Sequence, residues 1–324
     1  MLIAGRDYPK DFADFERMLA SEDQCYEYVA KMRWPGGFRC PFCGNAQAWK
    51  LGRGRLKCRD CRKESTVTAG TLFQDTRKPL HLWLTAMWYI TNQKNGTSAL
   101  GLQRAMGLGS YTTAWLWLHK LRRAMIRPGR DKLSGRIEID ETYIGGEAVG
   151  KPGRGSLKKA LVVIAAQENG NGIGRIRLGR IMDASATSLT NFVTSTVEPG
   201  SVIHTDGWRG YAGLDSLEFH HEVSNISNSG RDGATELLPR VHLVASLVKR
   251  WILGTHQGSV SPEHIDYYLD EFTFRFNRRT SKSRGLLFHR LVSQAVTCSP
   301  VVGNAIFGGK PLLPPQPVVV GGVN

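Results

Sequence analysis

No stretch of this 324-residue chain approaches the roughly 18 consecutive apolar residues of a membrane span. The amino terminus, with Arg6, Asp7, Lys10 and Asp11, also lacks the apolar core of a secretory signal. Membrane and export roles are therefore not expected, and a cytoplasmic location is. Acidic residues are scarce as well: 28 Asp and Glu stand against 43 Lys and Arg, for a formal net charge of +15 and a pI near 9.8. Such an excess of cations fits a polyanionic partner, because each phosphate neutralised releases condensed counterions. A merely basic soluble protein is the plainer alternative.

Cysteine is sparse too, yet four of the six residues form two Cys-x-x-Cys pairs, Cys40 with Cys43 and Cys58 with Cys61. Residues 44 to 57 separate the pairs, a 14-residue insert just below the usual spacing of four-cysteine zinc sites. A redox motif needs only one such pair, and disulfides do not persist in a reducing compartment, so a closed, structural zinc site is the expected product. Gly44, directly after the first pair, permits the positive φ that a metal knuckle often needs. A domain this small cannot build a core of its own, and the metal must supply on the order of 10 kcal/mol of its folding energy. Cys25 and Cys298 stand alone and are assigned to packing.

Around this ribbon the pattern is helical. Short helices are expected at Phe12 to Leu19 and Asp23 to Met32, and the run Leu82, Trp83, Ala86, Met87, Ile90 recurs with helical spacing. Helices at Ser98 to Met106 and Tyr111 to Ile126, joined by a glycine turn at Gly107 to Ser110, resemble a helix-turn-helix. Its basic last turn, with Lys120, Arg122 and Arg123, favours DNA binding. An ordinary helical hairpin would show the same periodicity. Trp115, Trp117 and Leu118 are expected in the core.

After Pro128-Gly129-Arg130 the pattern changes to strands at Arg136 to Ile144, Leu161 to Gln167, Ile173 to Met182, Val202 to Thr205 and about His220 to Val223. Helices are expected near Thr187 to Val197, from Leu238 to Trp251 and from Pro262 to Phe276. This is a mixed α/β sheet covered by helices. Asp140 follows an alternating strand and Asp206 ends another. If the strands are neighbours, both carboxylates leave the same end of the sheet and can share divalent ions about 4 Å apart, which suits phosphoryl transfer. Asp-Gly after a strand is also a common turn, so Asp206 alone would say little. Glu141 would face the other side of a regular strand and is expected to be structural or supporting. The loop Gly150 to Lys159 carries Lys151, Arg154, Lys158 and Lys159 among glycines, and can be read either as a phosphate-binding loop or as a solvated hairpin tip. Arg278 and Arg279 end the last long helix in a second basic cluster. Residues 308 to 324, rich in Gly, Pro and Val, are expected to be a mobile tail.

The ribbon, the segment Leu118 to Met125, the run Ile137-Glu138-Ile139-Asp140-Glu141-Thr142-Tyr143-Ile144-Gly145-Gly146, the phrase His204-Thr205-Asp206-Gly207-Trp208, and the runs Val241 to Val244, Lys249 to Gly258 and Tyr268 to Arg279 together resemble bacterial insertion-sequence transposases of the zinc-ribbon, ISXO-like group. The resemblance is colinear over roughly residues 20 to 290. It implies four regions: a helix and zinc ribbon (1–72), a helix-turn-helix-like segment (73–130), a ribonuclease-H-like catalytic domain of the DDE type (131–290), and a C-terminal extension and flexible tail (291–324). The implied activity is metal-dependent cleavage and strand transfer at the terminal inverted repeats of an insertion sequence. The implied partners are double-stranded DNA, both element ends and target, and a second copy of the chain or more in the synaptic complex. The implied cofactors are structural Zn²⁺ and catalytic Mg²⁺ or Mn²⁺, and the location is the bacterial cytoplasm, at the nucleoid when bound to DNA. In-line attack needs no covalent protein intermediate, so the lack of a Ser-His-Asp or Cys-His arrangement is no objection.

By the same resemblance Asp140 and Asp206 are the first two metal-binding acids and Lys249 is the DNA-contacting lysine. A third polar ligand, Asn or Glu, is expected just ahead of that lysine, and the register places Leu247 there. Leucine cannot bind a hard cation. His242, Ser246, Glu236 or water would then complete the site, or the chain is a catalytically impaired, DNA-binding descendant. Measured from Leu247, Ser246 lies about 100° and His242 about 140° around the helix, so neither is expected to replace it readily.

Overall fold

The computed structural model describes residues 2–127, 129–145, 159–224 and 237–308. Lys151, Arg154 and Lys158, Glu236, and the tail beyond 308 lie outside the described residues. The chain divides into two compact units, one of residues 1–128 with 281–324 and one of residues 129–280.

The first unit opens with α1 (Phe12–Met18) and α2 (Glu22–Arg33). Asp11 caps α1, and Ser21 with Gln24 makes a reciprocal capping box on α2. The ribbon follows as an antiparallel sheet of β1 (Ala48–Gly52), β2 (Arg55–Cys58) and β3 (Glu64–Thr66). Arg33 at the end of α2 donates to the carbonyls of Thr66 (3.0 Å) and Val67 (2.7 Å) and ties this sheet to the helices. Next come α3 (Leu80–Asn92), α4 (Ala99–Met106) and α5 (Tyr111–Ala124). Pro79 gives α3 no side-chain cap, and the Glu22 carboxylate supplies one by accepting from Leu80 N (2.5 Å) and His81 N (3.0 Å). Trp83 of α3 stacks on Trp117 of α5 at 3.7 Å between ring centroids.

Two helices from the far end of the chain complete this unit: α9 (Arg284–Thr297), packed on α2, α3 and α5, and the short α10 (Gly303–Phe307), packed on α5. Phe288 of α9 meets Phe15, Tyr28 and Trp88 in one aromatic cluster. Gly285 lets this helix approach the N-terminal segment, since a Cβ there would fall 1.5 Å from the Pro9 carbonyl oxygen. The boundary expected at 290 falls inside α9, whose buried Leu287, Phe288, Leu291 and Val292 belong to the first unit's core.

The second unit is a five-stranded mixed sheet, ordered β6-β5-β4-β7-β8, built from β4 (Arg136–Gly145), β5 (Lys159–Asn169), β6 (Gly172–Ile181), β7 (Val202–Thr205) and β8 (His220–Val223). β4, β5 and β6 pair antiparallel, while β7 lies parallel to β4 and β8 parallel to β7. Three strands in a meander followed by parallel additions beside the first is consistent with a ribonuclease-H-like architecture. α6 (Ala186–Thr196) covers one face, where Leu189, Phe192 and Val193 join Ile137, Ile139, Val163 and Ile203 in the core. On the sheet, α7 (Pro239–His256) packs on β4 and β5, and α8 (Ile265–Phe276) packs on β6. Strand alternation thus turns Ile137 and Ile139 to the α6 face and Glu138 and Asp140 away from it.

Candidate active site and zinc centre

In the ribbon the four cysteine sulfurs lie within 4.8 Å of one another, with Cys40 Sγ to Cys61 Sγ at 3.6 Å and Cys43 Sγ to Cys58 Sγ at 3.5 Å. Four sulfurs each about 2.3 Å from a zinc ion would sit about 3.8 Å apart in a regular tetrahedron, so the cluster has the dimensions of a closed zinc site. Burial opposes ionisation of Cys40, but the backbone N–H groups of Phe42 and Cys43 and the neighbouring thiols bring it down to about 7. Gly44 takes φ +75°, as the knuckle requires. Cys25 and Cys298 are buried away from this cluster, and burial pushes their thiols up to about 12 and about 11.

Parallel pairing of β4 with β7 sets Glu138 opposite His204. Two residues further along come Asp140, in the middle of β4, and Asp206, one residue past the end of β7; the charges of both act on Glu141 and on His242. Asp206 sits at the turn after β7, where its Oδ1 accepts from Trp208 N (3.0 Å) and Gly207 takes φ +81°. Trp208 is anchored in turn by its indole N–H on the Ala184 carbonyl (2.9 Å). Asp140 Oδ1 accepts from Glu141 N (2.8 Å), and its Oδ2 accepts from His242 Nε2 (3.2 Å).

Glu141 points to the opposite face, as the alternation requires, and its Oε2 accepts from the Tyr211 hydroxyl (3.0 Å). Burial raises its carboxyl above the usual range, and the charges of Asp140 and Asp206 raise it further. The hydrogen bond to Asp140 raises the His242 imidazole, whereas partial burial lowers the Lys249 ammonium against the pull of the same carboxylate.

His242 and Lys249 are seven residues apart on α7, about 700° of turn, and so share one face. Leu247 is about 160° from Lys249 by the same measure and is half-buried on another side. A side chain two positions before the lysine lies on a different face of the helix from it. His242 is the side chain that reaches Asp140.

Glu138 also belongs to this joint between strand and helix. It is 1% exposed on the same face of β4 as Asp140. Its Oε2 accepts from Arg240 N (2.7 Å) and Val241 N (2.9 Å), and its Oε1 from the Arg240 guanidinium (2.9 Å). α7 begins after Leu238 with no capping side chain of its own, and Glu138 takes that place across the sheet. Glu138 and Asp140, two apart on the strand, thereby hold Arg240 and His242, two apart on the helix. The signal in the sequence was an acid flanked by isoleucines at the same parity as Asp140.

The expected DNA-binding cations fare unevenly. Arg122 is 1% exposed, because the last turn of α5 is enclosed within its unit, and it does not offer its guanidinium to a ligand. Lys120 and Arg123 on the same turn are half-buried. What α5 exposes is its beginning, Ser110, Tyr111 and Thr112, with Arg104 of α4 nearby in sequence. Arg278 lies over Phe274 and donates to that residue's carbonyl, and Arg279 lies over Phe276 and donates to the carbonyls of Ile173 and Gly174. With Asn277, which pairs both backbone groups of Ile176, Arg279 closes the edge strand β6. Lys159 begins β5 opposite Gly145.

Two family models match the chain: an ISXO2-like transposase domain over residues 132–277 and a transposase zinc-ribbon domain over residues 20–64. An uncharacterized protein in transposable element ISH50 of Halobacterium salinarum is 25% identical over 278 residues, 80% of this chain and 92% of the relative. An uncharacterized transposase-like protein of Haemophilus influenzae is 25% identical over 116 residues, 35% of this chain and 89% of the relative. The first match spans the sheet with Asp140, Asp206, His242 and Lys249, and the second spans the four-cysteine cluster. The chain belongs to the ISXO2-like transposases.

Proposed function

We propose that this protein binds the terminal inverted repeats of an insertion sequence and carries out divalent-metal-dependent cleavage and strand transfer at their ends. The placement of Asp140 on β4 and of Asp206 just past the end of the adjacent parallel β7, with His242 and Lys249 on one face of the helix that packs on β4 and His242 bonded to Asp140, carries this reading. Asp140 and Asp206 would hold the ions, with His242 as the third polar group. Two carboxylates and one imidazole suit Mg²⁺ or, with the nitrogen donor, Mn²⁺ somewhat better. A bound pair of such ions supplies activation of the attacking oxygen and charge neutralisation at the leaving one.

The protein's own groups do the rest. Trp208 N fixes the Asp206 carboxylate, and His242 with Glu141 N fixes that of Asp140. The Lys249 ammonium stands where it can bind a phosphate oxygen of the DNA. On α5 the exposed first turn is the part that a helix-turn-helix inserts toward base edges. Synapsis of two element ends calls for at least two copies of the chain. Among the described residues no helix is long and apolar enough to cross a membrane.

Leucine at 247 favours a DNA-binding descendant without chemistry, whereas His242, 3.2 Å from Asp140 Oδ2, supports the catalytic reading. Cleavage of a plasmid carrying the gene and its flanks, with Mg²⁺ or Mn²⁺, tests the choice. Cuts at the element ends should appear with the wild type and vanish with Asp140→Ala and Asp206→Ala, while DNA affinity stays near its original value. Binding without cutting by the wild type would overturn the catalytic reading and favour the inactive descendant.

A further inference from the structure

We infer that the zinc ribbon grips the sugar–phosphate backbone of duplex DNA through a face made of Arg59, Arg62 and Lys63 held over the exposed rings of Trp49 and Phe42. The inference rests on the proposed DNA-binding role. It gives the ribbon a sequence-independent holding task, distinct from recognition of the terminal repeats.

Trp49 is 40% exposed and Phe42 is 54% exposed. Both Arg59 and Arg62 place their guanidinium carbon over the Trp49 ring, at 5.6 and 5.4 Å from its centroid, and Lys63 Nζ lies 5.0 Å from that of Phe42. Arg62 and Lys63 are consecutive, so the two ring-and-cation groups adjoin along the second knuckle. Among the described residues none of these three cations has an ion pair or a side-chain hydrogen bond. The ribbon does pair other cations: Lys50 with Glu27 at 3.7 Å, and Arg55 with Glu64 at 4.0 Å. Asp60 lies next to Arg59 in sequence without pairing to it.

Between residues 39 and 64 there are eight Lys and Arg against two acids. The ribbon therefore stays positive even after the net negative charge of a zinc–tetrathiolate centre is counted. Large exposed rings in so small a domain are costly to solubility unless something covers them, and here cations do. A ring beneath a cation also restricts its side chain in advance, so less freedom is lost when a ligand binds. Cations pinned this way present donors from the surface instead of at the tip of an extended side chain. That reach suits phosphates on the outside of a duplex better than base edges on a groove floor.

The test uses the full-length, zinc-loaded protein and two labelled duplexes, one carrying the element end and one of unrelated sequence, titrated over a series of salt concentrations. Arg59→Gln with Arg62→Gln should weaken binding to both duplexes by the same factor, roughly tenfold or more near 0.1 M salt. The slope of log affinity against log salt should fall by about two. Lys63→Gln, on the other ring, should lower the slope by about one. Zinc content unchanged at one per chain shows that the ribbon has stayed folded, and if the double variant loses zinc, the Lys63→Gln slope decides. Unchanged affinity and slope with zinc retained would sink the inference. Loss confined to the element end would also overturn it, in favour of base reading by the ribbon. If the wild type binds neither duplex but binds an acidic polypeptide offered in the same assay, the underlying DNA-binding role fails with it.

Discussion

His242, Leu247 and Lys249 give the sharpest expectations at the scale of single residues. His242→Ala removes the hydrogen bond to Asp140 Oδ2 and should lower metal-dependent cleavage by roughly tenfold to a hundredfold, with DNA binding unaltered. Leu247→Asn should leave cleavage flat, because that side chain faces away from the acids; a sharp rise would show that position 247 is the third ligand after all. In the ribbon, Cys43→Ser should cost the protein its zinc, read by metal analysis of the purified chain, and a wild type free of zinc would overturn the assignment. Asp140 and Asp206 stand out in the sequence only as a pair, since each follows an apolar run in a chain of strongly basic balance. His242 is named in the sequence only as an unready substitute for Leu247. Angles taken from Leu247 put it off the face, whereas the seven-residue interval to Lys249 puts it on. Arg122 was misread for another reason: sequence shows that a turn is basic, but not that a helix from a distant part of the chain packs on α5.

Among elements, the joint between β4 and α7 governs the site. The Glu138 carboxylate satisfies two backbone N–H groups at the start of α7 and faces the Arg240 guanidinium. Glu138→Ala would leave these buried donors and the Arg240 charge without that acceptor, costing about 1–3 kcal/mol or more. It should also loosen the turn that carries His242. Thermal unfolding and cleavage should both fall, and Glu138→Gln, which keeps one acceptor oxygen, should recover part of each. An alanine variant as stable and as active as the wild type would show that α7 is set by its packing alone. The elements themselves could be read from hydrophobic periodicity, including the two acid-bearing strands and the helices over them. Their ends were less legible. α7 runs on to His256, past the expected Trp251, since only the αL residue Gln257 stops it. α9 was not foreseen as an element, although Arg290, Ser293, Gln294 and Thr297 recur at helical spacing opposite the buried Leu287, Phe288, Leu291 and Val292.

On the scale of the molecule, helices α1 and α2 share one body with α9, more than 250 residues later in the chain. Gly285 is the point of closest approach, and Gly285→Ala should unfold the first unit at a markedly lower temperature, by at least 1–3 kcal/mol of overpacking, while zinc remains bound to the ribbon at low temperature. An unshifted melting curve would mean that Pro9 moves aside freely. Interleaving of this kind is nearly invisible in a sequence read from left to right, since nothing local in residues 281–308 names residues 8–29 as their neighbours.

A polypeptide built this way has a fixed order of completion during its synthesis. The ribbon and helices α1 to α5 emerge first, but the aromatic cluster around Phe288 cannot close until translation has passed α9. The sheet bearing Asp140 and Asp206 has then already been made. A nascent chain, or a message cut short inside the catalytic region, yields a first unit with an open core. Only a finished chain has both bodies complete, which couples assembly of the unit that carries the ribbon to the presence of the unit that carries the acids.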